Sequence, residues 1–330
     1  MEKILVLTSP ERVQKYTDPV DISPDWELVW GTPDEDDETL ISKANDARCI
    51  FADAVRPVSG ALIAGMPELL LVQSEGVGYD CIDSKTAAER GVLVCNTAGT
   101  NAGAVAESAV LLMLAVLRRL TEGDDAVRAA RQAEAKHAFI QSGLRELGEC
   151  SVGIIGFGAI GAQTANRLRA FGSEVFYYSR RRRPPETEAE FGVRYLPSEE
   201  LLSRCDIVSL HAPASAETYR MMNKAAFAAM KPGAVFINTA RGSLVDQEAL
   251  VSAIVSGRLS GAGLDTLDPE PVRSDNPLLH LPEEYKRRVT FMPHVGGTTA
   301  ATFRKQQHMC WQNIKAALAG ERPASVVAGG

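Results

Sequence analysis

The sequence predicts an α/β fold with two doubly wound parallel sheets. Three observations predict it. Short apolar runs rich in β-branched residues alternate with helix-like stretches along the whole chain, the order that places helices on the faces of a parallel sheet. The alternation restarts at residue 151 with a strand that runs into a glycine motif the first series lacks, and two series imply two domains. A length of 330 residues suits two domains of ordinary size.

In the first series, 3–7, 26–30, 49–52, 69–73 and 92–95 read as strands, with helix-like segments at 60–65 and 83–90. A long helix is expected from Asn101 to at least Leu120, and its apolar middle implies burial between domains or subunits. The second series has strands at 151–156, 174–179, 206–210, 234–239, 261–265 and 289–292. Its helices include Ala162 to Phe171, and Gln247 to Ser256 closed by Gly257 as a C-cap. A last helix spans about Ala300 to Ala319, and the sequence leaves open which domain it joins.

Composition is that of an ordinary globular protein, 45% hydrophobic and 23% charged. A net charge of −7 does not invite polyanions, so nucleic acid is not an expected partner. The longest apolar run, Ala109 to Leu117, is about half of a membrane span. No membrane association is expected, and the start lacks the apolar core of a signal peptide, so a cytoplasmic location is expected. Six scattered cysteines without CxxC spacing read as reduced thiols, with no metal site. The acidic run Asp34 to Glu38 reads as a solvated loop.

The chemistry begins at Gly156-Phe157-Gly158-Ala159-Ile160-Gly161, which follows an apolar strand and opens a helix. In that context Gly156 permits a tight turn, Gly158 lets a pyrophosphate approach the backbone, and Gly161 lets helix and strand pack closely. The helix start offers N–H groups and a positive dipole end to the anion.

The next strand should end in an acid for the ribose 2′-OH of NAD. The sequence instead reads Ser179-Arg180-Arg181-Arg182-Arg183, with Ser179 lying 18 positions after Gly161. Guanidinium groups suit a 2′-phosphate, so Ser179, Arg180 and Arg181 are the candidate contacts and NADP(H) is favoured over NAD(H). The rival readings are a solvated turn before Pro184, a nucleic-acid patch, and NAD held without the acid.

Three residues follow predicted strands of the second series: Arg241, Glu270 and His294. Ligands of open α/β sheets sit beyond the carboxyl ends of strands. Hydride transfer to or from an alcohol needs a base for the hydroxyl proton, a task suited to His. A carboxylate would hold such a ring in its protonated form, and a guanidinium binds a carboxylate and polarises a carbonyl. Taken singly, each residue has a bland reading as loop carboxylate, strand cap or core histidine.

The chain resembles the D-isomer-specific 2-hydroxyacid dehydrogenases over almost its whole length. The resemblance rests on Gly76-Val-Gly-Tyr-Asp-Cys-Ile-Asp, Gly156 to Gly161, Asn238-Thr-Ala-Arg-Gly, Gly263-Leu-Asp-Thr-Leu-Asp-Pro-Glu-Pro and Pro293-His-Val-Gly-Gly. It implies a Rossmann cofactor domain (101–296) inserted in a flavodoxin-like substrate-binding domain (1–100 and 297–330). It also implies a homodimer paired through the cofactor domain, with the long helix after residue 101 involved.

The same resemblance makes His294 the general acid/base, Glu270 its partner and Arg241 the carboxylate and keto-oxygen contact. Backbone N–H groups of Val77 and Gly78 would take the substrate carboxylate, beside Gly76 and with Glu75 at the edge. Thr100, His211, Pro213, Thr218, Thr239, Ala240, Asp265 and Gly296 match positions that line the cofactor, near His294. Within the family, the arginine run is similar to that of NADP-using glyoxylate/hydroxypyruvate reductases. The implied reaction is reduction of a small 2-keto acid to the D-2-hydroxy acid, and its reverse. The alternatives are a phosphite- or formate-type dehydrogenase, the latter expected to lack Glu270, and a non-catalytic dinucleotide-sensing corepressor or scaffold. Arg56 in the loop after 49–52 and Trp311 on the last helix are candidates for substrate specificity, Arg56 reading more readily as a surface residue.

Overall fold

A computed structural model describes residues 1–329. The chain forms two compact units, Met1–Asn101 together with the segment from Thr298 onward, and Ala102–Gly297.

The first unit is built on β1 (Glu2–Leu7), β2 (Trp26–Trp30), β3 (Cys49–Ala52), β4 (Leu71–Ser74) and β5 (Leu93–Cys95). Its sheet runs C-terminal strand (Val326–Ala328), β5, β4, β3, β1, β2. The five numbered strands are parallel, and the C-terminal one is antiparallel to β5. Leu5 of β1 lies opposite Val29 and Ile50, so β1 is a central strand covered on both edges. The antiparallel strand lies outside the sequence expectation, because three residues after a helix carry no periodicity.

The last helix, Ala300–Leu318, packs in this unit against β4 and the helix Pro10–Tyr16. Trp311 is fully buried there, 5.0 Å edge-on to Phe51 and 6.1 Å from Trp26, with its Nε1 donating to Gln307 and Thr17. This corrects the expectation that Trp311 sets substrate specificity: its ring is core.

The second unit contains β6 (Ser151–Ile155), β7 (Glu174–Tyr178), β8 (Val193–Tyr195), β9 (Ile207–Leu210), β10 (Ala234–Asn238), β11 (Leu259–Leu264) and β12 (Val289–Phe291). The order is β12, β11, β10, β9, β6, β7, β8, all parallel. The chain therefore winds one way from β6 and the other way from β9, and the β6/β9 boundary is the switch point where such sheets bind ligands. Asp206 pins the start of this crossing, accepting from the Ser151 N–H (2.9 Å), the Ser151 hydroxyl (2.8 Å) and Lys231 (2.7 Å).

The helix Ala102–Leu117 is buried within this unit against β10, β11 and the helix Ala159–Phe171. It ends at Leu117, short of the expected Leu120. Arg119 sits in the left-handed region at φ 50°, and its guanidinium forks onto Glu122 at 2.8 and 2.6 Å. One left-handed residue breaks the i→i−4 ladder, and hydrophobic periodicity does not register it. A separate helix, Leu120–Arg128, follows.

The acidic run is a second correction. Asp36 caps the helix Asp37–Ala44 by accepting from the Thr39 N–H at 2.9 Å, and Asp37 and Glu38 lie in its first turn. Acids there favour the positive helix end, which makes the run structural rather than merely solvated.

Candidate active site

The glycine loop lies at the carboxyl end of β6. Gly156 has φ +98°, and a Cβ there would come within 2.7 Å of His211 backbone atoms after β9. The position thus needs both the left-handed backbone and the missing side chain. A Cβ on Gly161 would meet the Gly156 carbonyl at 2.4 Å, so this glycine permits the close return of helix on strand. A Cβ on Gly158 would meet nothing within 4 Å.

The helix Ala159–Phe171 starts at Gly158 without a side-chain cap. Among the described residues, the N–H groups of Gly158, Ala159 and Ile160 find no acceptor. Open space beside uncapped N–H groups at a helix start fits a pyrophosphate. Phe157 is buried against Tyr177 at 4.5 Å, which fixes the loop from below.

The four arginines after β7 divide. Arg182 pairs with Glu188 at 2.8 and 2.9 Å, and Arg183 donates twice to the Phe157 carbonyl. Arg180 and Arg181 are exposed, and their side chains have no partner among the described residues. Ser179 donates to the Arg181 carbonyl at 2.6 Å and shapes the turn.

His211 faces the loop from across the switch point. Its Nε2 lies 2.9 Å from Ser209 Oγ and its Nδ1 3.4 Å from Thr239 Oγ1. Burial pushes its imidazole down to about 4, so the ring is neutral near pH 7. Thr218 closes the following turn, donating to the Pro213 carbonyl at 2.8 Å. Thr239 and Ala240 are buried at the end of β10.

Arg241, Glu270 and His294 all follow strands of this second sheet, β10, β11 and β12. His294 Nδ1 and Glu270 Oε2 are 2.6 Å apart. The other Glu270 oxygen accepts from the Leu267 N–H at 3.1 Å. Partial burial by itself would push the Glu270 carboxyl up. The hydrogen bond and charge of His294, the Leu267 N–H and the Arg241 charge outweigh it and hold the carboxyl below its ordinary value. Glu270 is therefore ionised at neutral pH.

Three contacts that leave no signal in the sequence set this geometry. A Cβ on Gly242 would lie 2.0 Å from the Leu267 carbonyl, so the Arg241 turn and the Glu270 loop touch backbone to backbone. Gln247 and Asn276 then brace the Glu270 loop, both donating to the Asp268 carbonyl. The Asn238 side chain holds the Arg241 turn by donating to the Arg241 carbonyl and accepting from the Ala240 N–H.

Asp265 is buried, and its two carboxylate oxygens accept the Val295 and Gly296 N–H groups at 2.9 Å each. Ser108 donates to the Gly296 carbonyl. His294 itself has φ 56°, a left-handed backbone that costs a non-glycine residue about 1–3 kcal/mol. The Asp265 contacts hold it there. Neither the φ nor the holding contacts leave a signal in the sequence.

In the first unit, the Gly76 loop follows β4. The Asn96 amide donates to the Val77 carbonyl and the Ser74 hydroxyl to the Gly78 carbonyl. Among the described residues the N–H groups of Val77 and Gly78 have no acceptor. Glu75 is buried and committed: its carboxylate accepts from Thr8 (2.6 Å), Arg12 (2.6 Å) and Gln307 (2.7 Å). Burial pushes its carboxyl up, with Arg12 opposing. Thr100 donates to the Thr97 carbonyl at 2.7 Å. A groove of about 760 Å³ opens at the carboxyl ends of β1, β2 and β3, lined by Thr8, Arg12, Asp53 and Arg56 among others.

A glycine-rich crossover at the switch point, with an acid–base pair and a guanidinium on the same sheet, defines a dinucleotide-dependent oxidoreductase. Comparison with known proteins agrees. The family described as D-isomer specific 2-hydroxyacid dehydrogenase, NAD binding domain, matches residues 110–296. A glyoxylate reductase of Korarchaeum cryptofilum is 36% identical over 290 residues, 88% of this chain and 85% of that protein. The NADPH-dependent glyoxylate/hydroxypyruvate reductase of Sinorhizobium meliloti, solved with NADP and malonate, has TM-score 0.81 at 29% identity, covering 99% of this chain and 97% of that one. The D-lactate dehydrogenase of Aquifex aeolicus, solved with NAD and lactic acid, has TM-score 0.83 at 27% identity over 100% of both chains. The chain belongs to the D-isomer specific 2-hydroxyacid dehydrogenase family. Among the described residues no helix is long and apolar enough to cross a membrane.

Proposed function

We propose that this chain reduces a small 2-keto acid of the glyoxylate/hydroxypyruvate type to the D-2-hydroxy acid with NADPH, and runs the reverse oxidation. The 2.6 Å contact between His294 and Glu270 carries the reading. It supplies an oriented acid/base where a hydroxyl proton must move. The curated relative and the Sinorhizobium neighbour support the substrate class, and the exposed, unpartnered Arg180 and Arg181 support the 2′-phosphate.

The residues fit the cofactor: the N–H groups of Gly158, Ala159 and Ile160 would hold the pyrophosphate, with His211, Pro213, Thr218, Thr239, Ala240, Asp265 and Gly296 around the rest. When bound, the reduced nicotinamide supplies a hydride to the keto carbon. His294 donates a proton to the keto oxygen as charge develops there. Glu270 holds the ring through Nδ1 and leaves Nε2 for the substrate. Arg241 binds the carboxylate and stabilises the oxygen. In the first unit, the open Val77 and Gly78 N–H groups suit a carboxylate. Glu75, with both oxygens occupied, acts as a brace for that loop.

Pairing of two copies through the second unit is part of the proposal. Leu120, Val127 and Ile140 are exposed there, and Val127, Phe139, Ile140 and Leu144 line an apolar hollow of about 460 Å³. Sedimentation at two concentrations tests it, a monomer at both refuting it.

A panel of glyoxylate, hydroxypyruvate, pyruvate and bulkier 2-keto acids, run with NADPH and with NADH, tests the activity. Oxidation of NADPH by the small acids is expected. No oxidation by any acid would leave the corepressor reading, and reduction of NADP+ or NAD+ by added phosphite, assayed separately, would move the chain to that branch.

A further inference from the structure

We propose that Arg183 is a positioning residue for the glycine loop, and that the four-arginine run divides between two tasks. Arg183 Nε and Nη2 donate to the Phe157 carbonyl oxygen at 3.0 and 2.6 Å. The Arg183 N–H donates to Tyr177 Oη at 2.8 Å, and that hydroxyl donates to Glu188 Oε1 at 2.8 Å. The Phe157 ring packs 4.5 Å from Tyr177 and 5.8 Å from Phe191. The turn after β7 is thus fastened to the glycine loop by a guanidinium above and by rings below.

The consequence follows from peptide geometry. The Phe157–Gly158 peptide is planar and trans, so its C=O and N–H point in opposite directions. Fixing the Phe157 carbonyl fixes the direction of the Gly158 N–H, the first of the N–H groups open at the helix start. The loop needs this because glycines on both sides of Phe157 leave the backbone permissive. A flipped peptide would turn a carbonyl oxygen to where a phosphate needs a donor. A two-pronged guanidinium opposes the flip and brings positive charge to the loop.

Arg183 therefore acts through the pyrophosphate site, which NAD and NADP share. Arg182 is held by Glu188, 5.7 Å over the Tyr195 ring. Arg180 and Arg181 remain for the 2′-phosphate. The assignment of that last pair rests on the proposed NADP preference, whereas the role of Arg183 rests only on dinucleotide binding.

The test is titration of the wild-type enzyme, Arg183→Ala and Arg183→Lys with NADH and, separately, NADPH, followed by nucleotide fluorescence, alongside thermal unfolding. Arg183→Ala is expected to weaken both nucleotides by the same factor, about tenfold, as for loss of a charge-assisted hydrogen bond. Arg183→Lys keeps the charge and one donor and is expected to recover part of the loss, and it keeps the test readable if the alanine variant folds poorly. Arg180→Ala with Arg181→Ala is expected to weaken NADPH alone. Loss of NADPH affinity with NADH unchanged in Arg183→Ala would overturn the proposal, since Arg183 would then be a 2′-phosphate ligand. So would unchanged affinity for both, or a lowered melting temperature with Arg183→Lys binding both like wild type. The titration needs no turnover, so failure of the keto-acid panel leaves its result intact.

Discussion

Asp265 holds His294 in place through three backbone N–H groups. The His294 N–H donates to the Asp265 carbonyl at 2.9 Å, and the next two N–H groups donate to its two carboxylate oxygens. Asp265→Asn keeps the size but turns an NH₂ toward one of those N–H groups. A buried unsatisfied donor costs about 1–3 kcal/mol, comparable with the strain of the His294 backbone. The variant is expected to melt lower and to lose turnover, read by thermal unfolding and steady-state kinetics. Wild-type values of both would refute the holding role.

His294→Ala removes the proposed acid/base without touching the glycine loop. Turnover is expected to fall about 10²–10⁴-fold, the usual worth of such a group, with nucleotide affinity retained. Glu270→Gln keeps a hydrogen-bonding partner but not the charge, and should fall between wild type and His294→Ala. Retained turnover in His294→Ala would remove the mechanism.

Arg180→Ala with Arg181→Ala should raise the Michaelis constant for NADPH far more than for NADH. Among the described residues neither side chain has a partner to lose, so stability should stay within about 0.5 kcal/mol. An equal effect on both cofactors would remove the 2′-phosphate argument.

Asp206 sets a pH dependence of stability. Burial alone would raise its carboxyl, but Lys231, the Ser151 N–H and hydroxyl, and Arg145 hold it well below the ordinary range. A folded value below the unfolded one gives stability that is complete above about pH 4 and is lost as pH falls toward the folded value. Asp206→Asn should therefore melt lower than wild type at pH 7, with the gap narrowing as pH falls below about 4 and closing only as pH reaches the depressed folded value. A gap that stays constant with pH would count against it.

Trp311→Ala should cost about 3–5 kcal/mol, the range for a buried aromatic, and leave the order of preferred keto acids unchanged in any folded fraction. Trp311→Phe should cost less and give a fully folded enzyme for the same panel. A reordered panel in Trp311→Phe would return the residue to the substrate site.

The alternation of strands and helices, the glycine loop and the residues at strand ends were legible in the sequence because each depends on neighbours within a turn or two of chain. Gly156 to Gly161 is such a unit: strand, turn and helix start lie in one stretch. Short or locally uninformative pieces escaped, among them β8, the C-terminal strand and the break at Arg119. Tertiary structure alone decided the pairings between loops. Glu270 meets His294 because β11 and β12 are neighbours in the sheet, and Gly242 lets a third loop close on them. The arginine run is the clearest case. Position in the run picks out Arg180 and Arg181 in the sequence, but only the folded turn, which carries Arg183 back to Phe157 and Arg182 to Glu188, accounts for the other two and leaves Arg180 and Arg181 without a partner among the described residues. The sheet order determines which strand ends meet, and no local pattern of residues encodes it.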